Sequence, residues 1–170
     1  MDTITPTPSL AWSDALALEI PVMDDTHREF VDLLAVAEAA GDAELPAHWI
    51  ALVDHTDAHF GREDEWMRST GFASANCHTT QQQVVLQVLR EGTRLLAEGD
   101  AKPARQMIRE LAVWFPAHAQ TMDAALALHL RRVGYDPETG VLSMPDAVPG
   151  EAIHGCGSAA CSTHDEAETA

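Results

Sequence analysis

The sequence predicts an all-α protein: an antiparallel up-down-up-down four-helix bundle with an extended N-terminal leader and a mobile C-terminal tail. Four segments repeat apolar residues at helical spacing, and none sustains the two-residue alternation of a half-buried strand. Capping or breaking residues bound each segment, with only short stretches between them. Short links make neighbouring helices reverse direction, and a bundle is then the simplest way to bury all four apolar stripes.

The leader, with Trp12 and Pro21, reads as extended. The first helix runs from Asp24 to Ala40, with Phe30, Leu33, Leu34 and Ala37 on one stripe and Gly41 to stop it. Pro46 suits the first position of a second helix, which carries Trp49, Leu52, Val53, Phe60 and Met67 and ends at Gly71. Ser74 is a fitting N-cap for the third, which brings Val84, Val85, Val88, Leu89 and Leu95 to Gly99. Asp100 and Pro103 open a fourth helix that reaches Arg132.

Composition breaks near Gly134, so the bundle domain is set at residues 1–134 and an acidic flexible tail at 135–170. The tail has seven acids, no base and few large apolar residues, too little burial to offset chain entropy. Over the whole chain, 27 acidic residues face ten basic ones, a net charge of -17. Such a surface repels phosphate backbones and anionic membranes, so neither nucleic acid nor membrane is expected as a partner. No stretch approaches the roughly 18 apolar residues of a spanning helix, and the start lacks a secretory pattern. The expected location is cytoplasmic. Three cysteines are too few for a disulfide framework.

The unusual count is nine histidines. His59 and Glu63, four apart, share one face of the second helix beside the core positions Val53 and Phe60. An ionised carboxylate in a bundle interior needs a partner, and a metal ion supplies one while also using neutral imidazole. The other helices offer His27, His78, His118 and Asp123. Histidines and carboxylates projecting inward from every helix describe a dinuclear, carboxylate-bridged metal centre.

Three stretches resemble the hemerythrins, particularly their single-domain bacterial members, over residues 10 to 131. They are W-S-D-A-L-A-L-E-I-P-V-M-D-D-T-H, D-H-T-D-A-H-F-G-R-E-D-E-W-M and W-F-P-A-H-A-Q-T-M-D. The resemblance implies two non-haem iron ions bridged by Glu63 and Asp123. It makes His27 and His59 ligands of one iron, and His78 and His118 ligands of the other. The five-residue spacing of His118 and Asp123 is not one α-helical face, and its pairing rests on the resemblance alone.

This chain departs from the family at Gln82, where H-T-T-Q-Q-Q replaces a second histidine four residues after His78. An amide oxygen is a weaker donor than imidazole, so that iron would be more weakly held or open to water. His55, one turn before His59 and on the ligand face, reads as a half-buried histidine bonded to a carbonyl, with a hydrogen-bonding neighbour of the site or a further metal ligand as the alternatives. Pro116 should loosen the turn before His118. By resemblance, Phe115 and Ala119 line the oxygen side, one giving apolar bulk and the other space. Cys77 reads as an inert thiol, and His48 and His129 as surface residues near helix ends. In the tail, His154, Cys156, Cys161 and His164 could hold zinc or copper, pair their thiols, or form a passive segment.

The resulting expectation is reversible binding of dioxygen for storage, delivery or sensing, with the tail open to a redox or protein partner. The rival is a di-iron oxidoreductase favoured by Gln82, reducing peroxide or oxygen or oxidising ferrous iron. A third reading is an interaction module that reports oxygen or redox state.

Overall fold

The computed structural model describes residues 7–72 and 77–151. Helix α1 spans Pro21–Ala39, α2 Leu45–Ser69, α3 Cys77–Ala97, α4 Lys102–His118 and α5 Ala124–Val133. A π turn at Ala119–Asp123 joins α4 and α5 into one rod, so the body has four rods rather than five. They pack in chain order, and α4 returns against α1. The link from Ala40 to Glu44 spans at most roughly 18 Å, less than the roughly 28 Å length of α1. Helix α2 therefore starts at the end where α1 stops. The last rod also opposes α1. Arg105 near its start donates to Ala40 O at 2.9 Å, whereas Arg131 near its end donates to Leu18 O at 2.5 Å.

Two apolar layers fill the interior. One gathers Phe30, Leu34, Trp49, Leu52, Leu89, Ile108 and Phe115. The other gathers Met23, Trp66, Met67, Phe72, Leu126 and Leu130. On α1, α2 and the α4–α5 rod, His27, His59, Glu63, His118 and Asp123 fall between the residues given to these layers. The polar residues are thus shielded from water on both sides along the bundle.

The structure corrects several expectations. Pro21 is not extended but opens α1, because proline's fixed φ and missing N–H suit a first helical position. The leader contains a 3₁₀ turn at Asp14–Leu16. Its Trp12 lies beneath the Arg28 guanidinium, 4.7 Å from the ring centroid. Asp24 Oδ1 accepts the Leu18 N–H at 2.7 Å and ties the leader to the first turn of α1.

Val84 and Val88 do not face the core; they are 53% and 44% exposed. The inward stripe of α3 is taken by His78, Gln82, Leu86 and Leu89, which turns positions 84 and 88 to the surface. His129 is buried rather than superficial, and its Nε2 lies 2.9 Å from Thr70 O. Burial lowers its pKa, favouring the neutral ring that can donate to that carbonyl.

Within the segment that composition assigns to the tail, residues 135–148 carry backbone hydrogen bonds of their own. Gly134 ends α5 in the left-handed region, at φ 63°. An added Cβ there would come 2.3 Å from Ser143 Oγ. Tyr135 bridges to Leu142, and Asp136 N donates to Val141 O at 2.8 Å. The Asp136 side chain accepts the N–H groups of Glu138 and Thr139 and closes the turn. The proposed N-cap Ser74 and the cluster His154, Cys156, Cys161 and His164 lie outside the described residues.

Candidate metal centre

Six buried side chains from all four rods converge between the two apolar layers. Glu63 turns Oε1 toward His59 Nε2 at 3.1 Å and His27 Nε2 at 3.9 Å, and Oε2 toward His78 Nε2 at 3.4 Å. Asp123 turns Oδ2 toward His27 Nε2 at 3.3 Å, and Oδ1 toward His78 and His118 Nε2, each at 3.1 Å. Each carboxylate therefore offers one oxygen to each pair of imidazoles. Two overlapping groups can each hold a metal ion: His27, His59, Glu63 and Asp123, and Glu63, His78, His118 and Asp123.

Local backbone geometry explains how Asp123 enters this set. Five α-helical steps rotate a side chain roughly 140° away from its starting face. The π turn at Ala119–Asp123 absorbs the extra residue, with Ala124 N–H reaching back to Ala119 O. Pro116, without an N–H, sits just before it inside α4. On α2 no such device is needed, because His59 and Glu63 are one ordinary turn apart.

Electrostatically, the cluster holds together only with positive charge between its carboxylates. Burial opposes charge on His27, but contacts with Asp123 and Glu63 outweigh it and raise its pKa to about 9. For His78 the same balance gives about 10. Burial and the neighbouring Asp123 charge act upward on Glu63, yet the surrounding imidazoles hold its pKa well below the usual range. Asp123 is lowered in the same way, with burial opposing and His118 first among the causes. Without metal, protons on His27 and His78 balance the acids.

Protons do not satisfy the geometry. Among the described residues, nine buried side-chain nitrogen and oxygen atoms lack a hydrogen-bond partner, and all belong to His27, His59, His78, Gln82, His118 and Asp123. Asp123 and the His118 Nε2 are close in distance yet miss the angle a hydrogen bond needs. Four of the nine, Nε2 of His27 and His118 and both oxygens of Asp123, meet at the centre without bonding one another, an arrangement that suits a cation. The donor set, imidazole nitrogen with bridging carboxylate oxygen, suits a borderline transition metal such as iron.

The family model described as "Hemerythrin HHE cation binding domain" matches residues 18–128. This chain belongs to the hemerythrin family. It is 33% identical over 129 residues to a bacteriohemerythrin of Ralstonia nicotianae, covering 76% of this chain and 94% of that protein. A bacteriohemerythrin of Stenotrophomonas maltophilia is 26% identical over 139 residues, covering 77% of this chain and 90% of its own length. No solved structure matches at a significant level.

Within this hemerythrin bundle, every residue singled out from the sequence as an iron ligand is buried at one place. Gln82 is there too, 2% exposed, with Nε2 2.5 Å from Glu63 Oε2 and 3.0 Å from His78 Nε2. Its Oε1 is buried without a partner. His55 stands outside the cluster, half-buried, with Nε2 3.1 Å from Thr26 O, which is the carbonyl-bonded reading. Phe115 meets His27 edge-on at 5.2 Å between ring centroids, and Ala119 is fully buried. One neighbour escaped the sequence reading. Trp114 stacks on His118 with centroids 4.3 Å apart and planes 26° from parallel. The four-residue interval between them was the available signal.

No helix among the described residues is long and apolar enough to cross a membrane.

Proposed function

We propose that the chain holds two non-haem iron ions and binds dioxygen reversibly, for storage, delivery or sensing. The observation that carries this reading is the division of the Glu63 and Asp123 oxygens between two imidazole pairs. His27 and His59 would hold one ion and His78 and His118 the other, with Glu63 and Asp123 bridging and the Gln82 amide beside the second. Two ferrous ions would supply the pair of electrons that reversible dioxygen binding requires. The protein's own part is exclusion and placement. Phe30 and Phe115, packed at 4.5 Å, close the His27 side with apolar surface. Ala119 keeps the adjoining wall of the α4–α5 rod small.

Gln82 favours a second reading, a di-iron oxidoreductase, because its amide would leave one ion with two imidazoles and a weak donor. Metal analysis and stopped-flow mixing with oxygen separate the outcomes. Two irons per chain and a long-lived charge-transfer band, reversed by removing oxygen, are expected for the carrier. Rapid, irreversible oxidation assigns the enzyme. One metal or none overturns both.

A further inference from the structure

Of the nine buried side-chain atoms without a hydrogen-bond partner among the described residues, four are Nδ1 of the imidazoles. Four more are the Nε2 and carboxylate atoms that meet at the centre. The ninth is Gln82 Oε1. An ion held by the imidazoles and carboxylates satisfies the second four. Whether it also satisfies Oε1 depends on which way the Gln82 amide is turned.

Glu63 decides that orientation. Gln82 Nε2 lies 2.5 Å from Glu63 Oε2, and an ionised carboxylate oxygen can only accept. Turning the amide over would set two acceptors against each other and forfeit a charge-assisted hydrogen bond between two buried side chains. The other contact, to His78 Nε2 at 3.0 Å, decides nothing, because that nitrogen donates or accepts according to its protonation. A carboxylate oxygen has two lone pairs, so Glu63 Oε2 can face an ion and still accept from Gln82. Where the family has a second imidazole, this chain therefore turns an N–H to the centre, and an N–H has no lone pair for a metal. The amide oxygen and nitrogen share one carbon, through bonds of roughly 1.2 and 1.3 Å, which keeps Oε1 within about 5 Å of Glu63 Oε2. It is a buried acceptor beside the centre with no protein hydrogen to take.

We propose that Gln82 seats a small hydroxylic ligand, water or a molecule of the type HO–X such as hydroxylamine or hydrogen peroxide, beside the ion of His78 and His118. The proposal rests on the di-iron reading. A lone pair of the ligand faces the ion and its O–H donates to Oε1, while Nε2 keeps its bond to Glu63. Gln82 then binds the ligand rather than the ion. An aprotic anion such as azide brings only lone pairs and gains nothing from Oε1, so the side chain selects protic ligands over aprotic ones. An imidazole at position 82 would give its lone pair to the ion and leave the ligand without this acceptor.

Cobalt(II), a neighbour of iron in donor preference, is the test metal. Diffraction from the cobalt-loaded natural protein, prepared under nitrogen, should show the Gln82 Nε2 bond to Glu63 kept and a solvent oxygen between the second ion and Oε1, within about 3 Å of the latter. Oε1 bonded directly to an ion overturns the proposal, and so does an Oε1 that meets no ligand. In solution, the visible absorption of the cobalt protein follows titration with hydroxylamine and with azide, and metal content is measured on every sample. Gln82→Leu should weaken hydroxylamine binding at least about fivefold, as expected for one lost hydrogen bond, and leave azide binding within about twofold. Equal changes for the two ligands, or none, overturn the selection. Should Gln82→Leu fail to fold or to hold two ions, the structure of the natural protein still decides. Failure of the di-iron reading shows separately, as fewer than two ions per chain when the natural protein is loaded with iron.

Discussion

His118 and Asp123 stand five residues apart in sequence, yet Nε2 and Oδ1 lie 3.1 Å apart across one π turn. That turn places a buried carboxylate against three imidazoles from different rods.

Asp123→Asn should therefore act on partners it does not adjoin in sequence. With the negative charge gone, the raised pKa values of His27 and His78, about 9 and about 10, should fall toward or below 6.5. Imidazole NMR titration of the metal-free protein reads this directly. Iron content should drop to one per chain or less. Unaltered titration would show that Asp123 does not set the charge of the cluster.

Iron uptake should expel protons. In the metal-free protein His27 and His78 remain protonated up to pH of about 9 to 10, whereas metal ligation requires neutral imidazole. Affinity should therefore rise with pH below that range, about tenfold per unit for each proton displaced. The metal-free fold shows the reverse sign. Its raised histidine pKa values stabilise it fully below the unfolded value of 6.5, and that contribution is lost as pH rises through about 9 to 10. Calorimetric metal titrations in buffers of different ionisation enthalpy count the protons, and urea unfolding with and without metal tests the opposed slopes.

Gln82→His should add an imidazole where the amide now lies 2.5 Å from Glu63. Graded chelation of the natural protein should remove iron in two phases, the faster from the His78 and His118 side. The variant should release both together and oxidise more slowly in air. Equal stoichiometry and equal autoxidation rates in the two proteins would make Gln82 an ordinary bundle residue.

Gly92→Ala should destabilise the bundle by about 1–3 kcal/mol, although alanine in a helix interior favours folding by about 1 kcal/mol over glycine. Packing decides the sign. A Cβ at position 92 would come 2.5 Å from Trp49 Cζ2 and 2.8 Å from Met107 Sδ. Trp49 is fully buried and hydrogen-bonded to Thr93 Oγ1 at 3.0 Å, so it cannot yield cheaply. Urea unfolding of the two proteins compares them.

By itself the sequence determined the all-helical class, because its apolar spacing and its glycine and proline stops are local signals that each helix carries alone. It also determined the residues of the cluster, through the His59 and Glu63 interval and the resemblance of three short stretches to the hemerythrins. Local signals do not say which face of a helix turns inward. On α3 the polar pair His78 and Gln82 claimed the interior and sent Val84 and Val88 to the surface. Nor do they say that residues 135–148 are held by backbone hydrogen bonds, which composition does not record. Only the tertiary structure decided that Asp123 meets His118 and, across the bundle, His27 and His78. That meeting depends on one residue absorbed in a π turn, which regular α-helical spacing does not record.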